Sequence, residues 1–408
     1  MNYKTYPIAD LIDEIAMGPF GSNIKVDCFV DKGIPVLNGS NLEGFELSEK
    51  SFRYVTEEKA DSLKKANAYK GDVVITHRGT LGQIVYIPQT AQRDRYVISQ
   101  SQFRVKCNKK VLPEYFVYYF HTPIGQHKLL SNASQVGVPA LARPSSTFQK
   151  IEIEIPDLET QRKVVKLIGS LQTRIKTNAE INDNLQQQLR TIFRAKFTDN
   201  PELERIERKP LSELCNVVTK GTTPTTLGKS FVESGINFIK AESILDDHSI
   251  DKSKFAFIDE ETNTLLKRSV IHAGDVVFTI AGTLGRFALI DDSVLPANTN
   301  QAVAIIRVDA KKILPEYIYT CFIGGWHTDY YTKRVQQAVQ ANLSLTTIKS
   351  LPIPVLDKGE MDEYLRLILP IIKAIKGNEA QNENLAMLRD SLLPKLMSGE
   401  IDVSDIQL

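Results

Sequence analysis

The sequence predicts an α+β protein: two tandem mixed α/β domains separated by two long antiparallel coiled-coil helices, with pseudo-twofold symmetry. Three observations carry this prediction. First, "GDVVITHRGTLGQ" from Gly71 recurs as "GDVVFTIAGTLGR" from Gly274, and Gly71/Gly274 and Gly79/Gly282 are both 203 positions apart. Second, the surrounding sequence recurs in the same order. "IADLIDEIAMG" from Ile8 matches "LSELCNVVTKG" from Leu211, "KGIPVLNGSNL" from Lys32 matches "SGINFIKAESI" from Ser234, and "VLPEYFVYYF" from Val111 matches "ILPEYIYTCF" from Ile313. A long internal repeat decides the architecture before any single motif does. Third, each copy is followed by apolar residues in alternating steps of four and three, the stripe of a helix that packs on another helix.

Taken in order, residues 1–157 form the first domain. Its short β-branched runs "DVVIT", "QIVYIP" and "QFRVK" read as strands, and "PEYFVYYFHT" reads as a helix. The domain closes on Ile155-Pro156. Residues 158–198 form a central helix with a seam at Val164, Ile168, Leu171, Ile175, Asn178, Asn182, Leu185, Leu189 and Ile192. Residues 199–356 repeat the domain and close on Ile353-Pro354. Residues 357–408 are a C-terminal helix and tail that pair with the central helix, with the matching seam Tyr364, Ile368, Ile371, Ile375, Asn378, Asn382 and Leu385. A helix of ~35 to 40 residues spans roughly 50–60 Å, and neither stripe can face water alone. Asn178, Asn182, Asn378 and Asn382 fall on the stripe at the same phase in both copies, where an amide weakens a coil but fixes its register. Pro370 lies inside the second helix, where the first has Ser170, and predicts a kink or interruption. In the tail "LLPKLMSGEI", Pro394 lies near the last turn and Gly399 ends the helix.

The bulk properties narrow the function. Hydrophobic content of 42% and charged content of 24% over 408 residues fit a globular chain with ample core. No run approaches the ~18 apolar residues a membrane span needs. The acidic start "MNYKTYPIADLIDE" is no signal peptide, so a cytoplasmic protein without membrane attachment is expected. Cys28, Cys107, Cys215 and Cys321 have no paired spacing, which predicts free buried thiols in a reducing compartment rather than disulfides or zinc. Lys and Arg number 50 against 49 Asp and Glu. A protein that grips nucleic acid unaided shows a basic excess, so any DNA binding here leans on partners.

No catalytic machinery is legible. "GTTPTTLGKS" from Gly221 ends like a phosphate loop, but Thr223 stands where the first glycine must be. "TDNPE" at Thr198 is not an amino-methyltransferase motif. "IPDLETQRK" lacks the Glu-x-Lys strand of many nucleases. The six histidines give no metal-binding pair at helical spacing, and no metal site is expected.

The layout, together with "GPFGSNIK" from Gly18, the two GDVV…GTLG stretches, the Ile-Pro pairs and the tail from Leu392, resembles the specificity subunit of a type I restriction–modification system. The resemblance spans essentially the whole chain. It implies that residues 1–157 and 199–356 are target recognition domains, each reading one half of a bipartite site in double-stranded DNA. It also implies that the paired helices set the spacing and dock two methyltransferase subunits, which motor/nuclease subunits join. It implies no cofactor on this chain, with S-adenosylmethionine on the methyltransferase partner. A recognition subunit of a methylation-only or type II-like system, or a non-DNA scaffold with duplicated binding domains, is the alternative. Gln161, a position the resemblance implies is Gln, is answered by Met361, so partner contacts there are expected to be asymmetric.

Base reading needs Arg or Lys for guanine, Asn or Gln for adenine, and Ser or Thr for either. Polar clusters in the predicted loops of the first domain are Ser22, Asn23, Lys25, Asn38, Ser40, Asn41, His77, Arg78, Thr80, Gln100 and Gln102. In the second they are Thr222, Thr223, Thr225, Lys240, Arg286, Asn298, Asn300 and Gln301. Lys25, Lys240 and Arg286 serve equally as phosphate contacts, which position without specifying. Gly79, Gly82, Gly282 and Gly285 read as tight turns.

Overall fold

The computed structural model describes residues 3–19, 21–131, 133–134, 138–199, 206–335 and 342–404. Its contacts divide the chain into residues 1–175 with 383–408, and residues 176–382. In the first unit the strands are β1 (Lys4–Pro7), β2 (Ile12–Met17), β3 (Ile34–Val36), β4 (Arg53–Val55), β5 (Asn67–Tyr69), β6 (Asp72–Thr76), β7 (Ile84–Tyr86), β8 (Arg95–Val97), β9 (Gln102–Cys107), β10 (Ala133–Ser134), β11 (Ala140–Leu141) and β12 (Glu152–Ile155). The helices are α1 (Glu57–Ser62), α2 (Pro113–Phe120), α3 (Pro123–Leu130), α4 (Pro144–Gln149) and the start of α5 (Leu158–Phe197). One sheet has the order β2-β9-β6-β7 and a second β4-β3-β8-β5, while β1 pairs with β12 and β10 with β11.

In the second unit the strands are β13 (Glu207–Pro210), β14 (Cys215–Lys220), β15 (Ile236–Ile239), β16 (Ala256–Ile258), β17 (Val276–Thr279), β18 (Phe287–Leu289), β19 (Ala297–Thr299), β20 (Val303–Val308) and β21 (Pro352–Val355). Its helices are α6 (Glu260–Leu265), α7 (Pro315–Ile323), α8 (Thr328–Val335), α9 (Leu345–Lys349) and most of α10 (Lys358–Ser398). The sheet β14-β20-β17-β18 repeats the order of β2-β9-β6-β7, β16-β15-β19 repeats three strands of the second sheet, and β13 pairs with β21 as β1 does with β12. The α+β class and the duplication are as the sequence predicts. Even the irregularities repeat, since the register shifts between Ile12 and Glu14 and again between Cys215 and Val217.

The chemistry of the repeated motif follows from burial. Every residue of β6 is buried. Val73 and Ile75 enter the core that also holds Val164 and Ile168 of α5, whereas Val74 enters the opposite core with Leu37 and Ile98. Likewise Val276 and Phe278 face one core and Val277 the other. A strand covered on both faces reads as a continuous apolar run rather than an alternation. The Asp of the motif is buried too, so it needs partners. Asp72 accepts the Tyr69 N–H (3.0 Å) and lies 3.4 Å from Arg104 of β9. Asp275 accepts the His272 N–H (2.8 Å) and holds Arg307 of β20 through two 2.7 Å bonds. Burial raises the Asp72 carboxyl above the usual carboxylate range, with the Tyr69 amide and Arg104 opposing it.

Both long helices begin on an aspartate cap, Asp157 accepting from Thr160 N and Asp357 from Glu360 N, each at 2.9 Å. In the first unit Val164 and Ile168 share a core with Leu393, Leu396 and Met397, and Arg389 bonds Gln172 at 2.9 Å. In the second, Asn178 donates to Asn382 (2.8 Å) and Gln381 (2.7 Å), Asn378 donates to Asn182 (2.8 Å), and Asn182 donates to the Ile375 carbonyl (3.2 Å). Rising numbers on α5 meet falling numbers on α10, so the helices run antiparallel, and the four asparagines pair across the seam.

Two expectations change. α10 is unbroken through Pro370, which stands on the exposed side, where water can serve the Arg366 carbonyl left without its helical donor. Gln161 is fully buried: it accepts from Leu112 N (2.9 Å) and donates to the carbonyls of Lys110 (3.0 Å) and Pro156 (2.9 Å). It ties α5 to the segment before α2 and offers no surface itself, whereas Met361 is half-buried against the core of the second unit. The four cysteines are free as expected, but only Cys321 is buried, the other three being half-buried.

Candidate nucleic-acid interface

The turn after β6 gathers the polar loops of the first unit. It closes with Thr76 N–H on the Gln83 carbonyl (3.0 Å) and reverses on Gly79 and Gly82, both at positive φ. A side chain at Gly79 would meet nothing, so the turn projects into open space. Three hydrogen bonds stitch it to its neighbours: His77 N–H to the Ser101 carbonyl (2.8 Å), Leu141 N–H to the His77 carbonyl (2.9 Å), and Gly79 N–H to the Pro139 carbonyl (2.9 Å). Gln83 reaches the Gly39 carbonyl at 3.0 Å, and the Gln100 amide lies over Gly21. The segments at 21–25, 38–41, 77–80 and 99–102 therefore meet on one face, together with residues 139–143.

The second unit builds the same face. Thr279 N–H closes the turn on the Arg286 carbonyl (2.8 Å), Ile280 N–H bonds the Ala302 carbonyl (2.8 Å), and Leu343 N–H bonds the Ile280 carbonyl (2.9 Å). Gly282 and Gly285 again have positive φ. Thr223 donates to the side-chain oxygen of Gln301, which joins the 222–225 loop to the others.

On these faces Asn23, Lys25, Ser40, Arg78, Thr80, Gln100, Thr225 and Gln301 are exposed. The side chain of Ser22 lies outside the described residues. Asn38, His77, Thr222, Thr223, Lys240, Arg286 and Asn300 are half-buried. Asn38 accepts from Ser40 N (2.9 Å), and Asn300 accepts from Ala302 N (3.0 Å). Burial lowers the His77 pKa, and its ring contacts the Gln100 carbonyl at 3.1 Å. Lys240 lies over the Phe231 ring and 3.8 Å from Glu242. Arg286 grips Asp246 through bonds of 2.6 and 2.8 Å.

Asn41, Gln102 and Asn298 are buried and do not reach the surface. Asn41 accepts from Asn38 N and donates to the Ser48 and Lys50 carbonyls. Gln102 accepts from Ser99 N. Asn298 donates to Asn263 and the Leu266 carbonyl. Each amide answers backbone groups that the loop's own path would leave unpaired.

Sequence reasoning passed over two cations at these faces. Arg268 donates to the Thr222 hydroxyl at 3.3 Å. Arg143 is exposed beside the first turn; its only sequence signal is an arginine before proline in "ALARPSS". Among the described residues, no group of three or more His, Cys, Asp or Glu is placed to hold a metal ion, and no helix is long and apolar enough to cross a membrane.

Comparison with known proteins agrees with this duplicated arrangement. The family model described as the type I restriction modification DNA specificity domain matches twice, over residues 5–187 and 204–385. The type I restriction enzyme MjaIX specificity subunit of Methanocaldococcus jannaschii is 21% identical, covering 97% of this chain and 93% of its own length. The HindI specificity subunit of Haemophilus influenzae is 23% identical over 81% of this chain and 87% of its own. The crystal structure of a type I restriction-modification S subunit from M. genitalium superposes with a TM-score of 0.54 at 15% identity, covering 97% and 96% of the two chains. With both halves matched, the chain belongs to the family of type I restriction–modification DNA specificity subunits.

Proposed function

We propose that this chain is the non-catalytic DNA-recognition subunit of a type I restriction–modification complex, and that each unit's turn face reads one half of a bipartite target. One observation carries the reading. The same backbone is built twice, with hydrogen bonds stitching each turn, yet the residues it presents differ: His77-Arg78 against Ile280-Ala281, and Gln83 against Arg286. A common scaffold with unlike side chains is what two readers of unlike half-sites require. The paired helices set the gap, and half-sites on one DNA face call for a separation near ~34 Å or a multiple of it. Two methyltransferase subunits dock on this chain and carry S-adenosylmethionine, and motor/nuclease subunits join for cleavage. The assembly works in the cytoplasm.

Arg78 is the exposed guanidinium at the tip of the first turn, and a bidentate contact to guanine is worth about 1–3 kcal/mol of discrimination. Arg78→Ala is expected to relax base preference in one half-site by roughly 5- to 150-fold and leave the other half unchanged. The measurement is competition binding by the full chain with its methyltransferase partner over all single-base variants of the target, identified by methylation-sensitive sequencing of the host genome. Equal profiles for variant and parent would refute the assignment.

A further inference from the structure

We propose that Arg143 is a DNA-phosphate contact of the first recognition face, a role that rests on the DNA-recognition reading above. Its place is fixed by the turn. Gly79 N–H bonds the Pro139 carbonyl, Leu141 N–H bonds the His77 carbonyl, and Arg78 and Ala140 form an antiparallel bridge. The chain leaving that bridge reaches Arg143 within three residues, next to the turn that presents Arg78 and Thr80.

The conformation of Arg143 is one an arginine disfavours. Its φ of 47° and ψ of 57° are left-handed, where a Cβ crowds the backbone and glycine or asparagine is the usual occupant. The carbonyl of Arg143 holds it there, accepting from Ser146 N and Thr147 N (both 3.1 Å) and from the hydroxyls of Ser146 (3.2 Å) and Thr147 (3.0 Å). The second unit shows the relaxed solution at the matching place. Ser344 precedes α9 with a φ of −80° and accepts from Thr347 N at 3.0 Å, an ordinary cap. Arg143 makes no side-chain cap bond. The first unit thus gives up a cap and accepts a strained backbone in order to present a guanidinium. Strain held by its surroundings points to function when it is observed, as here.

That guanidinium is exposed and has no acid within ion-pair distance among the described residues, whereas Arg95 pairs with Asp61 and Arg104 with Glu14 and Asp72. The end of six-residue α4 contributes no site; the side chain is the binding group. A phosphate oxygen is its ligand. The chain has almost no net positive charge, so the few unpaired cations on the face must neutralise the DNA backbone. A cation beside the reading turn, not at its tip, positions the duplex against it.

The test uses the full chain in complex with its methyltransferase partner and compares Arg143→Gly and Arg143→Lys with the parent. Glycine accepts the left-handed backbone, so Arg143→Gly is expected to keep or raise the urea midpoint. Its affinity should fall by the same factor for the target and for every single-base variant. The slope of log K against log salt should shrink in magnitude by about 0.9, the share of one phosphate. Arg143→Lys should retain most of the parental slope. Unchanged affinity and slope for Arg143→Gly would overturn the proposal. So would a loss confined to one base pair, which would make Arg143 a base reader. If the parent itself fails to prefer its target over a scrambled duplex, the recognition reading falls and this inference with it.

Discussion

Arg307→Met tests the physical basis of the repeated motif. Asp275 has no exposed surface, and its partners are the His272 N–H at 2.8 Å and Arg307 through two bonds of 2.7 Å. Methionine fills the space of the arginine stem and leaves a buried carboxylate with one backbone donor. Removing one member of a buried ion pair costs about 3–5 kcal/mol, while replacing both is close to neutral. Trp326, the chain's single tryptophan, packs edge-on to Phe193 in the same unit and reports its unfolding. With an m value of about 2 kcal/mol per molar urea, the fluorescence midpoint of Arg307→Met should fall by about 2 M. Arg307→Met combined with Asp275→Asn should recover most of that loss, because no buried charge remains. A single-variant shift below about 0.5 M, or a double variant worse than the single, would mean that the aspartate of the motif is not held by this pair.

The seam asparagines make a parallel case. Asn182→Leu strands the Asn378 amide that bonds it at 2.8 Å and should cost about 1–3 kcal/mol; Asn182→Leu with Asn378→Leu should cost less than the single change in the same urea assay, and a greater cost would show that the amides do not act as a pair. His248 and His327 supply a pH dependence. Burial lowers both to about 4, with Arg190 also acting on His248 and His248 on His327. Their Nδ1 atoms are buried without a partner. The unfolded chain takes up their protons near pH 6.5 and the folded chain only near 4, so stability present above pH 6.5 is lost as pH falls across that window, by up to ~1.4 kcal/mol per pH unit for each ring. The Trp326 midpoint should drop between pH 7 and 5 in the parent and drop less in His327→Phe; identical slopes would contradict the assignment.

What was legible in the sequence is what burial repeats. The GDVV strands, the Ile-Pro ends and the seam asparagines recur because each copy must fill the same cores and satisfy the same buried groups. Less legible was the fate of polar loop residues. Asn41, Gln102 and Asn298 have the composition of surface readers, yet the backbone claims their amides, and nothing local announces that. Arg286 was indistinguishable from a free cation because its partner, Asp246, lies forty positions earlier in the chain. Arg143 was passed over for the converse reason: its closeness to the turn depends on a bridge between Arg78 and Ala140, more than sixty residues apart. Pro370 misled because the rule against helical proline assumes a carbonyl that water cannot reach.

The same placements separate the two faces by charge. In the first unit, Lys25, Arg78 and Arg143 are exposed around the turn. In the second, Arg286 is held by Asp246, Lys229 by Glu261 at 2.6 Å, and Arg268 donates to Thr222, while Ala281 stands where the first turn has Arg78. A cation already paired with a carboxylate must break that pair to neutralise a phosphate, so it adds less to binding than a free one. On the proposed DNA-recognition reading, the paired Arg286 and Lys229 add less salt-dependent grip than the exposed Lys25, Arg78 and Arg143, while Arg268, bonded only to a hydroxyl, stays available to a phosphate. Duplication of one scaffold thus leaves two faces that differ in how many of their cations an internal carboxylate holds: Asp246 holds Arg286 and Glu261 holds Lys229 in the second unit, while Arg268 there meets only a hydroxyl.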